Sequence, residues 1–173
     1  MLKKTIGIAA AIGLVFGLTV AQAAEINDAQ IAHIAYTAGN LDIAAAKVAL
    51  DKSKNNEVRA FAQDMVRDHT AVNDQALALV KKLGVTPEDN ATSQALAKQA
   101  SDKAAELAKL SGAAFDVAYV ANEVAYHKAV NGALQGTLIP GAKNAELKTL
   151  LTTGLKVFQG HLTHAEHLAT TVK

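Results

Sequence analysis

Two histidines stand where helical spacing calls for apolar side chains. Between Glu57 and Leu83 the recurring positions are Val58, Ala62, Met65, His69, Val72, Ala76, Leu79 and Leu83, stepping by fours and threes as a buried helical stripe does. His161 holds the same kind of place in the series Leu147, Leu151, Gly154, Phe158, His161, Ala165, Leu168 and Val172. A third histidine joins two carboxylates: at about 100° per residue, Asp116, Glu123 and His127 fall within about 40° of one another, on a face shared with Val120, Val130 and Leu134. Asp42 contributes a further carboxylate from an alanine-rich helical stretch.

Imidazole nitrogens and carboxylate oxygens converging from several helices are how bundles build metal sites. Asp42, His69, Glu123, His127 and His161 are therefore candidate ligands of a divalent transition-metal ion, with zinc, copper, nickel, iron and manganese all compatible with such donors. Asp68, Asn73, Asp116 and Tyr119 are candidates for a supporting set that orients the free ring nitrogen of a ligating histidine. The alternative is that the same groups satisfy one another by hydrogen bonds without any ion. Asp116 also sits in a first helical turn, where the helix dipole favours a carboxylate with no further role.

The remaining histidines carry less. His161, His164 and His167 drift 60° per step, so His161 points inward, His164 lies on the flank and His167 points largely out. His33 is about 180° round its helix from Asp42 and faces outward.

Long helices must position these groups. Asn27 and Gln30 form a capping pair before a first helix over Asp28–Lys52, and Ser53-Lys54-Asn55-Asn56 caps a second over Glu57–Leu83. Gly84 ends that helix, and Pro87 is expected to open a new turn. A thinner alanine-rich helix spans Ser93–Lys109, another runs from Ala113 to about Gln135, Ile139-Pro140-Gly141 reads as a turn, and the last helix runs from Asn144 to the C-terminus. The expected fold is all-α, a ferritin-like four-helix bundle with an extra crossover helix. The thin helix, about 25 Å long at 1.5 Å per residue, returns the chain to the end where the first two helices meet. A plain up-down bundle is the alternative topology. With the crossover, Asp42, His69, Glu123, His127 and His161 lie about 10 to 15 residues from that end, so all five fall within about 8 Å of one level.

Lys3 and Lys4, the uncharged run Ile6–Val20 and Ala21-Gln22-Ala23 read as a secretory signal peptide over residues 1–23, cleaved after Ala23. The run is shorter than the roughly 20 apolar residues of a membrane span, so no membrane association is expected after cleavage. A single domain over residues 24–173, located in the periplasm, is the expected mature protein. There is no cysteine, hence no disulfide and no thiolate ligand. Losing the two leader lysines leaves 15 basic against 16 acidic side chains. Such a mixed surface, without an arginine-rich patch or aromatic platform, argues against nucleic acid as partner. Association with further copies of the chain, or with another protein, stays open.

Several segments together resemble an exported bacterial family known only as domain of unknown function 4142, which is grouped with ferritin-like folds. They are Glu57-Val58-Arg59-Ala60-Phe61-Ala62, Met65-Val66-Arg67-Asp68-His69-Thr70 with Asn73, Leu110-Ser111-Gly112-Ala113-Ala114-Phe115-Asp116 with Tyr119, then His127, and His161-Leu162 with His164-Ala165. The resemblance implies a helical bundle in the cell envelope and no particular activity. The chain departs from the di-iron pattern, in which Glu-x-x-His pairs supply ligands: Val66, Val124 and Phe158 stand three residues before His69, His127 and His161. Asp42 stands where the family usually carries glutamate. These departures speak against di-iron oxidase chemistry and leave a mononuclear or histidine-rich site.

No Ser-His-Asp arrangement, phosphate loop or cofactor fingerprint marks another enzyme class. The sequence thus points to a metal-binding or stress-associated bundle protein rather than an enzyme. The alternative is a non-catalytic structural or interaction module with a metal-free buried polar layer.

Overall fold

The computed structural model describes residues 26–173. The expected signal peptide and its cleavage point lie outside the described residues. Helix α1 spans Asp28–Lys52, α2 Asn56–Leu83, α3 Ala91–Ala108, α4 Gly112–Ala133 and α5 Ala145–Thr171. Among the described residues there is no strand, and no helix is long and apolar enough to cross a membrane.

Local chemistry sets these boundaries. Asn27 and Gln30 form a reciprocal capping box at the start of α1, and the Asn55 and Asn144 carboxamides accept from the first free N–H groups of α2 and α5. Gly84 ends α2 in the left-handed conformation at φ 64°, a cost-free geometry only for glycine. Two expectations need correction. Pro87 opens no helix: residues 85–90 run extended across the start of α1, where Glu88 N–H donates to Ala29 O at 3.1 Å, and α3 begins after its own cap, Asn90. Nor does Ile139-Pro140-Gly141 turn the chain. The helix widens into a π turn over Leu134–Leu138, with Ile139 N–H reaching back to Leu134 O, and stays helical to Gly141. The widening makes room for the Pro140 ring, which in a regular helix would strike the carbonyl four residues earlier. Leu134, Leu138 and Ala142 are thereby all buried.

The expected crossover is present. Asn90 Nδ2 donates to Gln30 O near the start of α1, while Lys52 Nζ at its end donates to Leu107 O at 3.1 Å and Ala108 O at 2.8 Å. Helix α3 therefore runs alongside α1 and in the same direction. At the other end of α4, the Asp28 carboxylate accepts from the N–H groups of Lys143 and Asn144, both at 2.8 Å. The result is a four-helix bundle of α1, α2, α4 and α5, in which α1 and α5 run one way and α2 and α4 the other. One long crossover connects its halves, as in ferritin-like folds.

Two apolar clusters fill the bundle. One, near the α1–α2 connection, contains Ala49, Val58, Phe61, Met65, Phe115, Tyr119 and Leu168. The other contains Ile31, Ile34, Leu138, Leu147, Leu151 and Phe158. Asp42, His69, Glu123, His127 and His161 lie between them, while Asp116 is buried near the start of α4.

Candidate metal centre

Each bundle helix delivers at least one group to this layer: α1 Asp42, α2 His69, α4 Glu123 and His127, α5 His161. All five residues are buried, with Glu123 fully so and His161 at 6% exposure. Each occupies a position on the buried stripe of its helix, flanked on α1 by Ala38 and Ala46, on α2 by Met65 and Asn73, on α4 by Val120 and Asn131, and on α5 by Phe158 and Ala165. The three imidazoles form a near-equilateral group: ring centroids are 5.7 Å apart for His69–His127, 5.3 Å for His69–His161 and 5.5 Å for His127–His161.

Neighbouring groups fix which ring nitrogens face inward. His127 Nδ1 lies 3.0 Å from its own helix's Glu123 backbone carbonyl, which leaves Nε2 free. His161 Nε2 lies 3.0 Å from Asp68 Oδ2, which leaves Nδ1 free. His69 is held by stacking on Phe158, centroids 4.4 Å apart and planes 5° from parallel. Its Nε2 is 2.7 Å from Asp42 Oδ2, but off the axis of a hydrogen bond, so neither atom has a hydrogen-bond partner.

The remaining lone pairs are also unpaired. Both Asp42 oxygens, Glu123 Oε2, His127 Nε2 and His161 Nδ1 are buried without a hydrogen-bond partner. Leaving one such group unsatisfied costs about 1–3 kcal/mol, so their concentration in one buried layer fits a shared ion. The distances fit. One atom each from His69, His127 and His161 lie within 4.8 Å of one another, and the same holds for Asp42, Glu123 and His127. Three atoms so spaced have a common point no more than about 2.8 Å from each, close to the ~2.0–2.1 Å of a metal–imidazole bond.

The electrostatics separate the two carboxyl groups. Burial and, after it, the facing Asp42 carboxylate push the Glu123 pKa well above the ordinary value, so Glu123 holds its proton. Burial also pushes Asp42 upward, yet the adjoining His69 and the nearby His127 bring it below the usual carboxylate value on balance. Burial lowers His127 to about 4, against the attraction of Asp42. It lowers His161 too, against the Asp68 carboxylate. Both rings are therefore neutral near pH 7, the form that ligates a metal.

The supporting residues divide. Asp68 stands behind His161, and its carboxylate also takes Arg67 Nε at 2.7 Å; that guanidinium, helped by His161 and opposed by burial, lowers its pKa. Asn73 does not orient a histidine. Its amide donates to Asn40 Oδ1 at 3.0 Å, where Gly39 lets α1 and α2 approach. Asp116 has no hydrogen bond or ion pair to the layer, and the Tyr119 hydroxyl has no hydrogen-bond partner. His164 is exposed, its ring edge-on to Phe61 at 5.2 Å, and His167 is exposed as well. His33 is half-buried and 3.9 Å from Asp89.

Three participants are not evident from residue spacing. Phe158 is the platform under His69; Asn131 Nδ2 donates to Phe158 O at 3.3 Å, holding α4 to α5; and Tyr126 Oη donates to Ala38 O at 2.8 Å, joining α4 to α1. A signal existed for Asn131, which follows His127 by four residues and so shares its face.

No curated protein and no solved structure matches the chain. The family model for the domain of unknown function DUF4142 matches residues 17–168, and the chain belongs to that family.

Proposed function

We propose that the protein is a metal-binding bundle of the bacterial envelope, holding one divalent transition-metal ion in the layer between its two apolar clusters. His69, His127 and His161 supply imidazole nitrogens, Asp42 a carboxylate oxygen, and Glu123 a second oxygen once its proton leaves. The observation that carries this reading is the set of inward-facing, unpartnered lone pairs contributed by all four bundle helices. Three imidazoles with carboxylates suit zinc, copper, nickel, iron or manganese. Asp68 acts through His161 by fixing its tautomer, as carboxylates behind metal-bound histidines do. The leader read at residues 1–23 supports export to the periplasm.

Elemental analysis of untagged protein isolated from the envelope tests the proposal, alongside a His69→Ala, His161→Ala double variant. The expected result is one ion per chain in the wild type, a lower melting temperature after chelation, and neither effect in the double variant. Absence of a stoichiometric ion together with an unchanged melting temperature after chelation would end the metal reading. Metal that persists in the double variant would move the site to the exposed His164 and His167. A structural module with a metal-free polar layer is the second reading. The stacking of His69 on Phe158 favours it, because that contact holds the ring without any ion.

A further inference from the structure

A cavity of about 800 Å³ lies along the cleft between α3 and α4 and the seam between α1 and α4, reaches α2 and α5, and has Asp42 and His69 on its wall. Its origin is in the sequence. Helix α1 packs closely on α2 and α4 on α5, but α1 and α4 meet sparsely, bridged by the Tyr126–Ala38 hydrogen bond. The side chains that flank the seam are small, Ala45 on α1, Ala100 on α3 and Ala129 on α4, so α3 covers the seam without filling it. Ala129 is exposed to this cleft rather than packed. Along α1 the lining runs from Ala32 to Val48, about 24 Å at 1.5 Å per residue.

We propose that this cavity binds a small neutral amphiphile, with a hydrocarbon body in the alanine-walled cleft and a hydroxyl head against Asp42. Volume and wall chemistry are those of a ligand site, largely apolar with a few polar groups. Among the described residues, the only carboxylate on the wall is Asp42 and the only ammonium is Lys103, which is ion-paired with Glu106. Asp42 Oδ1 is a buried acceptor without a hydrogen-bond partner, so it selects a head that donates a hydrogen bond. An anionic head is repelled there. An ammonium head would leave water to meet a carboxylate already faced by His69. The proposal stands apart from the metal reading, because Asp42 carries a second oxygen and the hydrocarbon walls touch no ion.

The test uses chelator-treated, untagged protein and the neutral fluorescent probe N-phenyl-1-naphthylamine. Saturable binding of one probe per chain is expected, with displacement by 1-decanol at a concentration at least tenfold below that needed with decanoate. Ala129→Phe and Ala100→Phe, on opposite walls, each weaken probe binding at least tenfold, while Thr163→Phe on the exposed face of α5 leaves it unchanged. Circular dichroism establishes that each variant is folded, and Ala129 is exposed enough to accept the ring. The proposal is overturned by unsaturable probe binding to the wild type, by folded wall variants that bind as the wild type does, or by decanoate competing as well as 1-decanol.

Discussion

Freed of bound ions, the Glu123→Gln variant is expected to lose about 3 kcal/mol of stability between pH 7 and pH 4. The loss originates at His127, whose pKa falls from 6.5 to about 4 on folding, through burial first. Below pH 6.5 the unfolded chain takes a proton there that the folded protein refuses. Stability from this residue is therefore present above 6.5 and lost as pH falls toward 4. The gap corresponds to ~3.4 kcal/mol at ~1.36 per decade of proton affinity, trimmed to about 3 at pH 4, where the folded His127 is half charged. His161, also depressed, adds to the loss in the same direction. Glu123 works the other way: its raised pKa means that its contribution is present at low pH and lost as pH rises through the folded value. In the wild type it therefore offsets His127, and glutamine removes that offset while keeping a neutral group. Asp42 is depressed on balance, so its contribution is lost mainly below its ordinary 3.8, outside the window. Thermal melts followed by circular dichroism in the presence of chelator would read the effect. At ~2–4 °C per kcal/mol for a domain of this size, the variant's melting temperature drops by roughly 6–12 °C over the window, and the wild type's by less. A variant whose melting temperature stays flat, or falls no more steeply than the wild type's, would refute the assignment of a neutral Glu123 beside neutral imidazoles.

The same proton predicts how metal uptake depends on pH. Glu123 must release it to ligate, so zinc affinity should rise with pH, and calorimetry in buffers of different ionisation enthalpy should detect proton release that Glu123→Gln lacks. Equal affinity and equal proton release in the two proteins would remove Glu123 from the ligand set. Two glycines give opposite expectations for packing. At Gly154 a new methyl group meets Phe158 and Val72 at ordinary contact distances of 3.4 and 3.6 Å. Gly154→Ala should therefore gain about 1 kcal/mol of helix propensity, seen as a melting temperature higher by about 2–4 °C. At Gly39 the methyl group would overlap the Asn73 carboxamide, so Gly39→Ala should lower the melting temperature and break the Asn73–Asn40 bond. A neutral or stabilising Gly39→Ala would contradict the close approach of α1 and α2.

The five ionisable groups were legible because burial on a helix is written as a period. His69 and His161 occupy stripe positions, and a count of residues from the α1–α2 connection put them level with Asp42, Glu123 and His127, given the crossover. The length and thin stripe of the helix expected over Ser93–Lys109 pointed to a crossover with an up-down bundle as the alternative, and the observed helix Ala91–Ala108 makes that crossover. What spacing does not carry is direction at the ends of side chains. Asn73 shares a helix with His69 and follows it by four, yet its amide turns toward α1, because Gly39 opens a gap there that only the tertiary approach creates. The π turn was hidden for a related reason. Pro140 reads locally as a breaker, and only the burial of Leu134, Leu138 and Ala142 against α1 and α5 makes it worthwhile to widen the helix rather than end it.

Charge decides between one ion and two. A di-iron site in a bundle of this connectivity is surrounded by carboxylates from all four helices, enough anionic charge to hold two divalent cations in a dry interior. Here α2 and α5 bring imidazoles instead, and the ionisable carboxyl groups of the layer are Asp42 and Glu123. Even with Glu123 deprotonated, the layer offers two negative charges, and Asp68 adds its charge only through the ring of His161, while partly neutralised by Arg67. Two divalent ions would leave a net positive charge buried between two apolar clusters, at a desolvation cost of several kcal/mol. One divalent ion with Asp42 and Glu123 is electrically neutral. Its proton cost falls on Glu123 and not on His127 or His161, which are neutral before the ion arrives. Imidazoles rather than carboxylates on α2 and α5 would therefore limit the proposed site to one ion.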